Sequence, residues 1–321
     1  MSFPNISDVL ATTIENRSGK IADNVTNNNA LLTKLEKRGN IRKFSGGHKI
    51  LEELAFAGNG NFAWYSGYDT LTTGVSDVIS AAEFTIKQAA APVTISGLEM
   101  LQNRGKEAIV ELLESRLKVA ESTMHNNIET GLFSDGTGSG GKIITGLDAA
   151  VPQDPTTGTY GAINRATWTF WRSQLRDSAA TITAATIQTE MNALWAACTR
   201  GNDMPDLIVL GQTLWLLYMA SLQPLQRFTD GDNAKLGFAT VKFMTADVVL
   251  GGGIGGVATA TDGYFLNTKY IHYRPHADRN MVPLSPGKRY AVNQDAEVQI
   301  IAWAGNLTMS GSKFQGRLKG D

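Results

Sequence analysis

Apolar side chains recur every three or four residues from Leu98 to Ile128, through Leu101, Ile109, Leu112, Leu113, Leu117, Ala120 and Met124. That spacing lines one face of an α-helix. Ser96 and Glu99 stand three residues apart at its start, the pattern in which each side chain satisfies an orphan backbone donor of the other residue. Gly131 sits where a left-handed C-cap belongs. The pattern predicts one helix over 96–131, roughly 50 Å long at 1.5 Å per residue. Gly105 and the drift of the stripe favour packing on a sheet over a coiled coil.

Before this helix the period changes to two. Phe62 and Trp64 alternate with Ala63, and Phe84 and Ile86 with Thr85, on either side of the turn-rich "YSGYDTLTTG". This predicts a long two-stranded ribbon. A lone hairpin is marginal in water. This one carries Phe56, Phe62, Trp64, Tyr65, Tyr68 and Phe84, too many aromatics to leave wet. Either the chain's own body or another copy must cover them.

After the helix, "DGTGSGGK" is a connector and "IITGLDAAV" reads as a strand. From about 160 to 270 helix and strand alternate. Ile187, Met191, Leu194, Trp195 and Cys198 share a helical face, "DLIVLG" is a buried strand, and "QTLWLLYMASLQ" is a second helix stopped by Pro224. "VKFMTADVVLGG" and "GVATATDGYFLNTKYIHYR" supply further strands, and the stretch from Val282 onward is β in character. The first 45 residues are polar and Asn-rich. They read as an arm with little core, apart from a short helix ending at Gly39.

Composition narrows the function. The 321 residues are 42% hydrophobic, enough for about two compact units. The formal charge of −1 offers no field to grip nucleic acid. The one basic cluster, Lys34, Lys37, Arg38, Arg42 and Lys43, reads most simply as a solvated face. A single cysteine excludes an intrachain disulfide and a cysteine zinc site. Neither a secretory leader nor an apolar run of about 18 residues is found, so a soluble chain made in a reducing cytoplasm is expected.

Two glycine-rich stretches raise the question of nucleotide chemistry. Gly136, Gly141 and Lys142 nearly spell a P-loop, but residue 143 is Ile rather than Ser or Thr, and the stretch follows a helix instead of preceding one. Gly251, Gly253 and Gly256 have dinucleotide-fingerprint spacing, yet lead into strand and loop. His272 and His276 have a helical metal-pair spacing that Pro275 denies. Glu52 with Glu53, and Glu111 with Glu114, read as solvated faces. Cys198 lacks a base and reads as a small buried hydrophobe. No catalytic, cofactor or metal residue is expected, and the chain is not read as an enzyme.

The order of elements, with "GYDTL", "SAAEFTIKQAAAPVTISGLEMLQNRGKEAIVELLESRLKVAESTMHNNI", "LFSDGTG", "ITGLDAAV", "INRATWTFWRS", "YFLNTKYI" and "QDAEVQIIAWAGNLTMS", resembles the major capsid proteins of tailed bacteriophages. The likeness covers roughly residues 45 to 318. It implies an α+β, Hong Kong 97-type fold: N-terminal arm 1–45, extended loop 46–92, peripheral domain with spine helix 93–160, axial domain 161–270, and peripheral closing strands 271–321. It implies a structural subunit that assembles as pentamers and hexamers into an icosahedral shell around double-stranded DNA. The subunit interface would include Phe62, Trp64, Tyr65, Tyr68, Phe84 and Ile86. The partners implied are further copies of the chain, a separate scaffolding protein (the arm is too short for a fused one), a portal and a decoration protein, with no membrane. The location implied is the virion capsid, assembled in the host bacterial cytoplasm. A bacterial nanocompartment shell and a nucleotide-binding enzyme using the glycine loops are the alternatives.

Overall fold

The computed structural model describes residues 29–102, 106–178, 181–222, 241–251, 258–284, 289–290 and 295–320. The chain enters through helix α1 (Ala30–Lys37), whose cap, Asn29, accepts a hydrogen bond from Leu32 N at 3.1 Å. Leu31, Leu32 and Leu35 are fully buried, so this part of the arm belongs to the core, contrary to the expectation of little core there. Leucines at i, i+1 and i+4 make a stripe that eight residues suffice to present. Nor is the basic cluster simply a solvated face. Lys34 pairs with Asp247 at 2.5 Å and Arg38 with Asp206 at 2.7 Å, clamping α1 to the body. Residues 1–28 of the expected arm lie outside the described residues.

Strands β1 (Lys49–Ala55) and β2 (Ile79–Thr85) form an antiparallel ribbon, in register from Lys49 opposite Thr85 to Ala55 opposite Ile79, but a shorter one than expected: residues 62–64, whose alternation predicts strand, lie outside any strand, and Ile86 follows the end of β2. After Ile86, strand β3 (Lys87–Ser96) leaves the ribbon and joins a different sheet. The capping box then forms as read. Ser96 N donates to Glu99 Oε2 at 3.1 Å, and Glu99 N to Ser96 Oγ at 3.3 Å. Arg116 reaches back to Glu99 at 2.5 Å. Helix α2 (Gly97–Gln102) and helix α3 (Lys106–Leu132) occupy the span expected of one helix, and residues 103–105 between them are not described. Leu117, Ala120, Met124 and Ile128 are buried, whereas Leu98, expected on the same stripe, is exposed. Helix α3 packs on β3.

Gly131 is not a left-handed cap. It lies inside α3, and a Cβ there would stand 3.1 Å from Ile144 Cδ1, so its value is close approach. The "IITGLDAAV" stretch is not a strand either: Leu147–Ala150 makes one helical turn. Leu147, Ala150 and Val151 are buried at i, i+3 and i+4, which is a helical spacing, and a Cβ on Gly146 would meet Leu132 O at 2.4 Å.

A short hairpin, β4 (Thr159–Tyr160) with β5 (Ile163–Asn164), leads to β6 (Gln174–Asp177), helix α4 (Ile187–Cys198), β7 (Leu207–Leu210) and helix α5 (Gln212–Leu222). Strands β8 (Val241–Phe243), β9 (Ala246–Leu250) and β10 (Asp262–Leu266) follow, and then β11 (Ile271–Pro275), β12 (Val282–Pro283), β13 (Arg289–Tyr290), β14 (Ala296–Met309) and β15 (Gly316–Lys319). The 14-residue β14 is the spine of one sheet, pairing with β3, β11, β12 and β13. The second sheet has six strands in the order β6–β15–β10–β7–β9–β8.

The six-stranded sheet is a wall between two cores. Leu207 and Val209 of β7 and Tyr264 and Leu266 of β10 face the larger core, which also holds α1, the ribbon base, α3 and β14. Ile208, Leu210 and Phe265 face the smaller core under α4 and α5. Burial on both faces explains why "DLIVLG" is continuously apolar rather than alternating. At the chain end, β15 does not join the sheet of β14, with which the sequence groups it, but inserts between β6 and β10 of the six-stranded one. Its Leu318 fills the smaller core, while Arg317, 1% exposed, pairs with Asp262 at 2.5 Å and with Asp148 on the other face. An alternation of one apolar and one charged residue serves a wall whose second face holds the buried Asp262 carboxylate and the partly exposed Asp148.

Candidate assembly interface

Alternation in β1 sets which face of the ribbon meets the body. Ile50, Glu52 and Leu54 point inward and are buried, leaving Lys49, Leu51 and Glu53 outside. Opposite them, Ala82 and Phe84 of β2 turn in. Glu52 is not a solvated acid as expected from sequence. It is 4% exposed, and its Oε1 accepts from Arg274 Nε at 2.6 Å and from Thr308 Oγ1 at 2.9 Å. His272 Nδ1 lies 3.7 Å from Oε2 of the same carboxylate. Burial pushes the His272 imidazole down to about 4, against the pull of Glu52 and with help from Arg42 and Arg274. The cluster joins the ribbon to β11 and β14 through groups that none of the three segments could leave buried alone.

Further out the ribbon is propped by aromatic contacts. Phe56 stacks on Phe170 at 5.4 Å and meets Trp168 edge-on at 6.2 Å. Gly161, at φ +58°, lets the hairpin touch β2: a Cβ there would lie 2.9 Å from Ala82 Cβ and 3.0 Å from Phe84 Cζ. Glu83 N donates to Gly161 O at 2.9 Å.

Beyond Phe56 the loop leaves the body. Local turns shape it: Asn61 N donates to Asn59 Oδ1 at 3.0 Å, and Ser66 N to Asp69 Oδ2 at 2.9 Å. Phe62 and Trp64 meet edge-to-face at 5.5 Å. Trp64 is 92% exposed and Tyr68 fully so, with Phe62 and Tyr65 also open. The structure therefore brings four of the six expected interface residues together on one exposed tip. It removes Phe84, which is 3% exposed and packs edge-on against Tyr160 at 5.2 Å, because the inward face of β2 claims it. Ile86 is half-buried, with one side packed against the larger core. Leu51, Leu71, Val75 and Ile79 were missed and extend the exposed apolar surface. The alternation of β1 could have found Leu51. Val75 and Leu71 sit among turn residues that carry no period.

Elsewhere the candidate chemistry dissolves into structure. The "DGTGSGGK" stretch follows α3, with Ser139, Gly140 and Gly141 at positive φ, and no strand leads into it. Lys142 is exposed, and Lys87 Nζ donates to Gly141 O. Most of the second glycine cluster, residues 252–257, lies outside the described residues. His272 and His276 lie on strand β11 and beyond it, and His276 packs edge-on to Phe44 at 5.0 Å. Cys198 is buried and its thiol is pushed up to about 12 by burial. No group of three His, Cys, Asp or Glu residues able to hold a metal occurs among the described residues, and no described helix is long and apolar enough to cross a membrane.

No protein-family model matches the chain, and no curated protein is similar to it at a significant level. Solved structures do match. A chain of the cyanophage A-1(L) capsid asymmetric unit superposes with a TM-score of 0.63 at 17% identity, covering 88% of this chain and 90% of that one. The capsid of a native GTA particle gives 0.53 at 12% identity, over 88% and 89% of the two chains. The capsid of Myoviridae phage XM1 gives 0.51 at 14%, over 89% and 92%. The chain has the Hong Kong 97-type fold of tailed-phage major capsid proteins.

Proposed function

We propose that this chain is the structural subunit of an icosahedral viral capsid, assembling as pentamers and hexamers that enclose double-stranded DNA. The observation that carries the reading is a fold shared over 88% of this chain with a capsid chain, joined to an aromatic tip that is exposed among the described residues. Burying a large aromatic contributes about 2 kcal/mol, so several together can dominate a contact between copies. The formal charge of −1 suits a container that must not grip its contents. The arm, extended loop, peripheral and axial divisions expected from sequence are proposed with the one amendment that β15 belongs to the axial sheet. A separate scaffolding protein, a portal and a decoration protein are proposed partners; the virion is the proposed location, with assembly in the host cytoplasm. The role is structural rather than catalytic. Electron microscopy of the purified chain tests this directly. Closed polyhedral shells are expected; a monodisperse monomer under all assembly conditions would overturn it. Micromolar ATP or NAD binding, lost on Lys142→Ala or Gly253→Val, would favour an enzyme instead.

A further inference from the structure

The chain contains one Asn-Gly pair, Asn59–Gly60, and the structure places it at the root of the exposed aromatic tip. Both residues are exposed and lie outside helix and strand. Gly60 has no side chain to shield its nitrogen, and nothing stands within 4 Å of where a Cβ would be. Two hydrogen bonds bear on the chemistry of the pair. Asn61 N donates to Asn59 Oδ1 at 3.0 Å, and Gly60 N points at Ser76 Oγ at 3.4 Å. Asn61 is itself held by its side-chain amide on Gly74 O.

We propose that Asn59 is a self-modification site, converting to aspartate and isoaspartate through a cyclic imide with Gly60. The Gly60 backbone nitrogen attacks Asn59 Cγ and gives up its proton, for which Ser76 Oγ is the nearest acceptor. As the N–Cγ bond forms, negative charge develops on Oδ1, where the Asn61 N–H already donates; a donor placed at that position stabilises the transition state. The Cγ–Nδ2 bond then breaks, and the amide leaves as ammonia with one proton returned to it. Water opens the five-membered imide at either carbonyl, leaving a carboxylate and a restored chain. Nothing is oxidised or reduced, and water is the only co-reactant. Opening at the backbone carbonyl lengthens the main chain by one carbon. Either product puts a negative charge three residues before Phe62. The inference does not rest on the shell reading, because the reaction occurs within one free chain.

The test is a time course of the purified full-length protein in mildly alkaline buffer, followed by peptide mapping and mass spectrometry. Asn59 is expected to convert ahead of every other asparagine, with both acidic products present. Gly60→Ala fits the open space without strain, and should slow conversion about tenfold with an unchanged melting temperature. Asn59→Gln should abolish the signal from this peptide. If conversion at Asn59 is slower in the folded protein than in the urea-unfolded one, or if another asparagine reacts first, the loop protects the site and the proposal is overturned.

Discussion

Single residues decide how the ribbon is held. Arg274→Ala would leave the buried Glu52 carboxylate with only Thr308 as a donor. Removing one partner of a buried ion pair costs about 3–5 kcal/mol, and a fall of that size in the unfolding free energy from urea titration is the expected result. His272 adds a pH dependence whose sign follows from linkage. Its folded value lies near 4, below the 6.5 of the free side chain. Between those values the unfolded chain binds more protons than the folded one, so stability rises with pH. The contribution is complete above about 6.5 and is lost as pH falls toward 4. Urea titrations across that window should show it, and His272→Gln should flatten the slope. Nothing in "KILEELA" shows that its central acid faces inward, since Glu52 is matched by Arg274 and Thr308 from more than 200 residues away.

At the scale of elements, the capping box and the lower half of the long stripe were legible because both are local. Leu117 is wholly buried, so Leu117→Asp would bury an unpaired charge at a cost of several kcal/mol. Loss of soluble, helical protein by circular dichroism is expected. Lys142→Ala is the contrasting case. Its side chain is exposed at the end of the glycine connector, and a change below about 0.5 kcal/mol in chemical denaturation is expected, with assembly intact. The helical turn at Leu147–Ala150 escaped sequence reading for a physical reason. Its i, i+3, i+4 spacing spans a single turn and does not repeat, and its form depends on Gly146 lying against the end of α3.

For the whole molecule, the consequence of the exposed tip is assembly. A triple Phe62→Ser, Trp64→Ser, Tyr65→Ser variant removes side chains that touch none of the core, so its melting temperature should match the parent. Sedimentation and electron microscopy should show that it no longer forms stable closed particles. Backbone amides of residues 57–78 should exchange rapidly in free subunits and slowly in assemblies; equal protection in both states would place the cover within the chain itself.

The sequence by itself determined that a ribbon precedes a capped helix, though not where its strands end, and it determined the alternating unit with its buried strand and the aromatic tip, because periodicity, caps and turn residues are written in neighbouring positions. Tertiary structure alone decided three other matters. It turned Phe84 inward against Tyr160 and left Trp64 outside. It drew α1 into the core through Lys34–Asp247 and Arg38–Asp206. It carried β15 across to the six-stranded sheet, where Arg317 meets Asp148 and Asp262. Each depends on partners far apart in the chain, whose meeting leaves no local period to read.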